Sequence, residues 1–252
     1  MTALQEIREI KNIIVSSLVF LFACTVFFFI FGIHKVPVLG YQIWMPVPDT
    51  SNSAAIQVFL RMKKDLVPDS VQLIVTSPTT GLVAQMTISF LLASILFFPY
   101  FLWRVFLYLS PALRSVERKA LLLMTLPALF LFVTGAVFAY AFLIPPVLGV
   151  LYEFALPGTV VSFLDIDEFI GTVSSLLITS GLMFLLPIAM VFLNFIGAFP
   201  RDFWWRHWRG ATLTILTIAA IITPDGSGTS MIILSVPLVG LYAVGASIHP
   251  KR

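Results

Sequence analysis

Six apolar runs separated by more polar segments, at about residues 13–33, 82–109, 120–143, 170–197, 211–222 and 231–248, account for about half of this 252-residue chain. Hydrocarbon offers no partner to a backbone N–H or C=O, so a segment crossing it must satisfy those groups internally. Each run is therefore expected to be a helix. Only 11% of the residues are charged and 59% are hydrophobic, against roughly 25% charged in a soluble domain. The expected fold class is all-α, a polytopic membrane protein whose six transmembrane helices form a single domain, 1–252.

At about 1.5 Å per residue the first four runs exceed the roughly 30 Å hydrocarbon core, whereas 211–222 gives only about 18 Å and 231–248 about 27 Å. The short last pair implies either polar flanks drawn into the interface or a locally thinned bilayer. Pro99, Pro127, Pro187 and Pro237 sit inside or near the ends of spans. Each removes a backbone donor, and kinked helices of this kind are expected to enclose a concave face rather than form a straight bundle.

Orientation follows from the bases. With the N-terminus inside, eleven Lys and Arg residues fall in cytoplasmic segments, and only Lys35, Arg61, Lys63 and Lys64 fall outside. That asymmetry places both termini in the cytoplasm. The opening "MTALQEIREIKN" leads into an apolar run too long for a signal-peptide core, so a retained first helix is expected. In the long external segment, "AAIQVFLRMKKDL" has apolar residues at helical spacing and predicts a short amphipathic helix at the outer surface. "PGTVVSFLDIDEF" reads as a turn into a helix capped by Asp165 or Asp167. "FWWRHW", 203–208, reads as an interfacial aromatic belt, with a partner site as the alternative.

Few functions survive this composition. The 15 basic residues are explained by topology, and no nucleic-acid-binding signature accompanies them, so no nucleic-acid partner is expected. The single cysteine, Cys24, forms no intrachain disulfide, and without Cys/His clusters no metal or cofactor is expected. His34, His207 and His249 flank spans or sit in the aromatic belt, and no nucleophile and base are paired, so the chain is not expected to be an enzyme. The spans hold almost no ionisable residues and show no internal repeat, which weakens a reading as a small-solute secondary transporter. That reading stands as the alternative, and a membrane scaffold as a third.

Carboxylates on the inner face remain. Glu6 precedes the first span and Glu117 lies between the second and third. A carboxylate matches the planar fork of a guanidinium, so such a pair suits two arginines of an incoming peptide. Pairing within the chain, to Arg8, Arg114 or Arg118, is the other reading.

The order of motifs adds to this. "LQEIR" (4–8), "SP" (77–78), "YLSPALRSVER" (108–118), "GAVFAYAFLIP" (135–145), "GLMFLLP" (181–187) and "TPDGSGTS…VPLVGLY" occur in that sequence on a six-span chain. Together they resemble the TatC family, the polytopic subunit of the twin-arginine protein translocase. The resemblance implies a receptor for the twin-arginine signal peptides of folded cargo, driven by the protonmotive force in a prokaryotic plasma membrane. It implies small single-span partners of the TatA/TatB type, lipid around it, and a homo-oligomer within a larger complex. Carried over to this chain, it makes Glu6 and Glu117 the signal-peptide carboxylates, with Arg8, Tyr108 and Pro111 completing the recognition motifs. Pro78 takes a structural position and Asp225 an acid linked to translocation. The chain departs from the pattern at Leu185, where the family has a glutamate in span four, at Ala243 in span six, and at Thr80 and Thr87 after the Ser-Pro pair.

Overall fold

The computed structural model describes residues 3–38, 41–68, 71–109, 124–154, 162–195, 197–200, 202–224 and 228–248. The chain divides into two compact units, Met1–Phe97 with Leu156–Ser174, and Phe98–Ala155 with Ser175–Arg252.

The first unit begins with α1 (Ala3–Ile30). Its apolar part, Arg8–Ile30, is long enough to cross a bilayer, yet only 6% of its most apolar stretch is buried, which leaves the helix wall to lipid. Helix gives way at once to an antiparallel hairpin, β1 (Phe31–Val38) and β2 (Tyr41–Pro48), in register from Phe31 opposite Pro48 to Val38 opposite Tyr41. A two-stranded hairpin has two open edges, which is where strand prolines such as Pro37, Pro46 and Pro48 are tolerated. The Asp49 N–H closes its base on the Ile30 carbonyl at 2.9 Å.

Asp49 then starts a single 3₁₀ turn, Thr50–Asn52, its carboxylate accepting from the backbone of Ser51 (3.0 Å) and Asn52 (3.2 Å) and the Ser51 hydroxyl (2.6 Å). The expected amphipathic helix follows as α2 (Ala54–Leu66), with Ala54, Ala55 and Met62 on its buried side and an Arg61–Asp65 pair at 2.9 Å on its exposed side. Gln85 of α3 (Thr80–Leu109) donates to the Phe29 carbonyl at 3.0 Å and to the Ser53 hydroxyl at 2.9 Å, tying the end of α1 to the start of α2. Strands β3 (Val71–Ile74) and β4 (Ser162–Asp165) form a four-residue parallel pair, and β4 runs straight into α6 (Ile166–Phe184).

The second unit contains the rest of α3 and α6, together with α4 (Thr125–Phe138), α5 (Ile144–Phe154), α7 (Leu186–Phe195), the short α8 (Phe203–Arg206), α9 (Trp208–Ile222) and α10 (Thr229–Ser247). Between α4 and α5 the backbone widens to a π-turn, Ala139–Leu143. Pro145 and Pro146 follow directly and can donate to no carbonyl of the preceding turn, and a wider turn accommodates the missing bonds. Pro187 likewise sits just past the break at Leu185 that separates α6 from α7. Pro99 and Pro237 lie inside α3 and α10.

Within this unit α4 and α6 approach closely. The Ser180 hydroxyl donates to the Gly135 carbonyl at 3.0 Å, and a Cβ on Gly135 would lie 2.7 Å from the Phe184 ring and 2.8 Å from the Ser180 carbonyl oxygen. Small residues permit such crossings, where packing rather than the hydrophobic effect holds helices together in lipid. Phe106, Ala128 and Ile188 form a buried cluster with Leu102, Leu185 and Phe192 against it.

Among the described residues five helical segments are long and apolar enough to cross a membrane, Arg8–Ile30, Thr80–Tyr108, Thr125–Tyr152, Ile166–Asn194 and Thr229–Ser247, and Trp208–Ile222 is a shorter sixth. The six expected spans are thus present, with shifted ends. Span one stops at Ile30 rather than 33, because the hairpin begins there. Span three runs past 143, because the π-turn carries the helix through the two prolines. The all-α class describes the spans, while the described residues of the segments joining them hold four short strands that helical periodicity gave no reason to expect.

Candidate functional site

The expected recognition residues fall in different parts of the chain. Glu6 lies in the first turns of α1, and Arg8 is exposed on the same helix. Tyr108 is half-buried in the last turn of α3. Pro111, Glu117 and Asp225 lie outside the described residues.

Pro78 is exposed in the turn that opens α3. Around it the Ser77 N–H donates to the Thr80 hydroxyl at 3.2 Å, and the Thr80 N–H returns a bond to the Ser77 carbonyl at 3.1 Å. A proline suits such an entry, having a fixed φ and no N–H to leave unpaired. Thr80 is fully buried, and its hydroxyl satisfies this turn without the cost of burying a charge. Thr87 bonds its own helix through the Val83 carbonyl at 2.9 Å.

At the start of α6, Asp165 behaves as the expected cap. Its carboxylate accepts from the Asp167 N–H at 2.8 Å and from the Thr76 hydroxyl. Those two bonds, the hydroxyl's first, hold its carboxyl below the usual carboxylate value. Asp49 is held low in the same way, chiefly by the Ser51 hydroxyl.

The second unit holds a cavity of about 520 Å³ walled by α6, α7, α9 and α10. Leu182, Leu185, Met190, Ile215, Ile218 and Leu238 are among its apolar lining, with Thr214 and Tyr242 adding hydroxyls. Leu185 makes this wall apolar at the position where the resemblance led to the expectation of a glutamate. The cavity is suited to an apolar side-chain surface and offers nothing to a polar solute beyond those hydroxyls and the Trp204 edge.

One end of the cavity is closed by a chain of hydrogen bonds. The Tyr242 hydroxyl donates to the Trp204 carbonyl at 2.6 Å, the Trp204 indole donates to Asn194 Oδ1 at 2.7 Å, and Asn194 Nδ2 donates to the Ile248 carbonyl at 3.2 Å. Phe203 stacks on Phe199 with centroids 4.2 Å apart and meets Trp204 edge-on at 5.2 Å. The aromatic belt read from "FWWRHW" is therefore divided: Trp204 is anchored to α7 and α10, whereas Trp205 and Trp208 remain half exposed. The Arg209 guanidinium lies 5.7 Å from the Trp208 ring, as suits an interfacial pair. Sequence reasoning passed over Asn194. A lone amide inside "IAMVFLNFIG" was the available signal, since a polar side chain near a span end needs a partner.

Among the described residues no group of three or more His, Cys, Asp or Glu side chains is placed to hold a metal. A helical polytopic membrane protein with an apolar cavity between helices, and no assembled bond-making chemistry among the described residues, is the class that fold and site define. Residues 4–237 match the protein family described as Sec-independent protein translocase protein (TatC). The chain is 33% identical over 230 residues to the Sec-independent protein translocase protein TatC of Cenarchaeum symbiosum, covering 91% of this chain and 87% of that one. It is 35% identical over 175 residues to the TatC of Deinococcus radiodurans, covering 69% and 64%. A crystal structure of the twin arginine translocase receptor TatC in DDM superposes with a TM-score of 0.74 over 98% of this chain and 100% of that chain, at 24% identity. The chain belongs to the TatC family.

Proposed function

We propose that this protein is the signal-peptide receptor and core subunit of a twin-arginine translocase, moving folded cargo across a prokaryotic plasma membrane at the expense of the protonmotive force. The observation that carries the reading is family membership over residues 4–237. In it, Glu6 and Glu117 each take one arginine of the signal on the cytoplasmic side, with Arg8, Tyr108 and Pro111 completing the recognition surface. Pro78 sets the entry of α3, and Asp225 serves translocation from the opposite side. The apolar cavity beside Leu185 receives the hydrophobic stretch that follows the arginines, which its nearly all-carbon wall supports. Single-span subunits of the TatA/TatB type and further copies of this chain complete the complex, around the single domain 1–252. Family membership favours this reading over a small-solute secondary transporter, as does a cavity wall without ionisable side chains other than Tyr242.

A photo-reactive residue at position 117 tests it in proteoliposomes. Crosslinking to a paired-arginine signal peptide is expected, together with its loss when the arginines are replaced by alanine. Undiminished peptide binding by a Glu6→Ala/Glu117→Ala double variant would overturn the site assignment.

A further inference from the structure

The β1–β2 hairpin has two unlike faces. Side chains alternate along each strand, and residues opposite one another in an antiparallel pair share a face. The register therefore puts Phe31, Ile33, Trp44 and Pro46 on one face, and Gly32, His34, Met45 and Val47 on the other.

The second face packs against protein at Gly32 and His34, while Met45 at its other end is 44% exposed. A Cβ on Gly32 would lie 2.1 Å from the Asn52 carbonyl oxygen, and His34 Nε2 lies 3.6 Å from the Asp49 carboxylate. The first face is open, with Ile33 50% and Trp44 63% exposed. It is also continuous with the membrane-spanning wall of α1. No residue separates Ile30, the last of the helix, from Phe31, the first of the strand, and the Phe31 ring stacks on Phe27 with centroids 4.8 Å apart. Phe27 in turn belongs to the exposed apolar surface of α1, with Phe22 and Val26.

We infer that this face lies in the lipid interface at the C-terminal end of α1, with Ile33 and Trp44 among the headgroups and upper acyl chains. Burial of apolar area drives the contact, and an indole, which joins an apolar ring to a polar N–H, is suited to that depth. The partner is the phospholipid surface itself. The hairpin then fixes the depth of α1 in the bilayer while its other face holds the Asp49 turn.

Spin labels test the assignment in full-length protein reconstituted into phospholipid vesicles. Cys24→Ser removes the one native thiol, and Ile33→Cys, Trp44→Cys and Met45→Cys each add a single labelling site. Collision with oxygen, which concentrates in lipid, is compared with collision with a water-soluble nickel chelate. Labels at 33 and 44 are expected to be oxygen-dominated and the label at 45 nickel-dominated, so the ratio inverts between adjacent residues. Nickel-dominated labels at 33 and 44 would overturn the inference by placing the face in water. Labels there shielded from both reagents would overturn it too, because a second copy or another protein would then cover the face.

Discussion

The indole N–H of Trp204 reaches Oδ1 of Asn194 across 2.7 Å, and through that amide an interfacial aromatic is fixed to the end of α7. Asn194 passes the connection on to the Ile248 carbonyl, and Tyr242 closes it by donating to the Trp204 carbonyl. Three elements, α7, α8 and α10, thus share one polar node, two of whose residues, Trp204 and Tyr242, also line the apolar cavity.

That node predicts non-additive mutations. Trp204→Phe leaves the Asn194 oxygen without its donor, and Asn194→Leu strands the indole, each costing about 1–3 kcal/mol. The double variant is expected to lose less than the sum of the two, because the second change removes a partner already unsatisfied. Thermal unfolding in detergent measures all three; strict additivity would show that the bond carries no coupling.

Close packing at Gly135 predicts a steep steric penalty. Gly135→Ala forces its new methyl against backbone and ring at under 3 Å, and overpacking of this kind costs about 1–3 kcal/mol. Gly181→Ala meets only the Phe132 ring, at 2.9 Å, which can shift. It should be milder. Gly171→Ala, with nothing within 4 Å, is the control and should be neutral or stabilising. Resistance to denaturant in micelles ranks the three.

The apolar cavity predicts what happens when a carboxyl is placed at position 185. Leu185→Glu sets a carboxyl among leucine, methionine and isoleucine, at a cost of about 3 kcal/mol if it ionises in the membrane. Leu185→Met keeps the volume and should stay within about 1.5 kcal/mol of the native chain. Comparing the two melting curves separates polarity from shape.

Asp49 and Asp165 predict acid sensitivity in the first unit. Both carboxyls lie below their usual value in the folded chain, so folding favours their ionised forms. Their contribution is present in full above that usual value, about pH 4. It is lost as pH falls through the lower folded values. Hydrogen exchange at the Ser51, Asn52 and Asp167 amides should lose protection in that window, and Asp49→Asn with Asp165→Asn should flatten the profile.

Recognition of arginine by paired carboxylates predicts a chemical preference in the signal. Replacing both arginines of the peptide with lysine keeps the charge but loses the two-pronged hydrogen bond, so binding should weaken at unchanged ionic strength. Equal affinities, measured by titration of labelled peptide into proteoliposomes, would argue for charge attraction alone.

Much of this molecule could be read locally. The runs around 82–109 and 231–248 become helices at Thr80–Leu109 and Thr229–Ser247, because an unbroken apolar stretch in lipid has few other ways to satisfy its backbone. The amphipathic segment became α2, and Asp165 became a cap, since both depend on residues a few positions apart. The hairpin at 31–48 escaped notice because its strands follow an apolar span without a gap, and hydropathy does not distinguish Phe31 in a strand from Phe29 in a helix. Of the candidate site, the residue types were legible, but their neighbours were not.

The sequence by itself determined the number of spans and their approximate limits, and its ordered motifs pointed to the family, because hydrophobic length and short signatures are properties of contiguous residues. Tertiary structure alone decided that Leu185 lines a cavity, that Gly135 meets Phe184, that Asn194 rather than water receives Trp204, and that Ile33 and Trp44 share an open face. Those facts depend on register and on contacts between residues remote in the chain, and composition and periodicity carry no information about which remote partner a given side chain will meet.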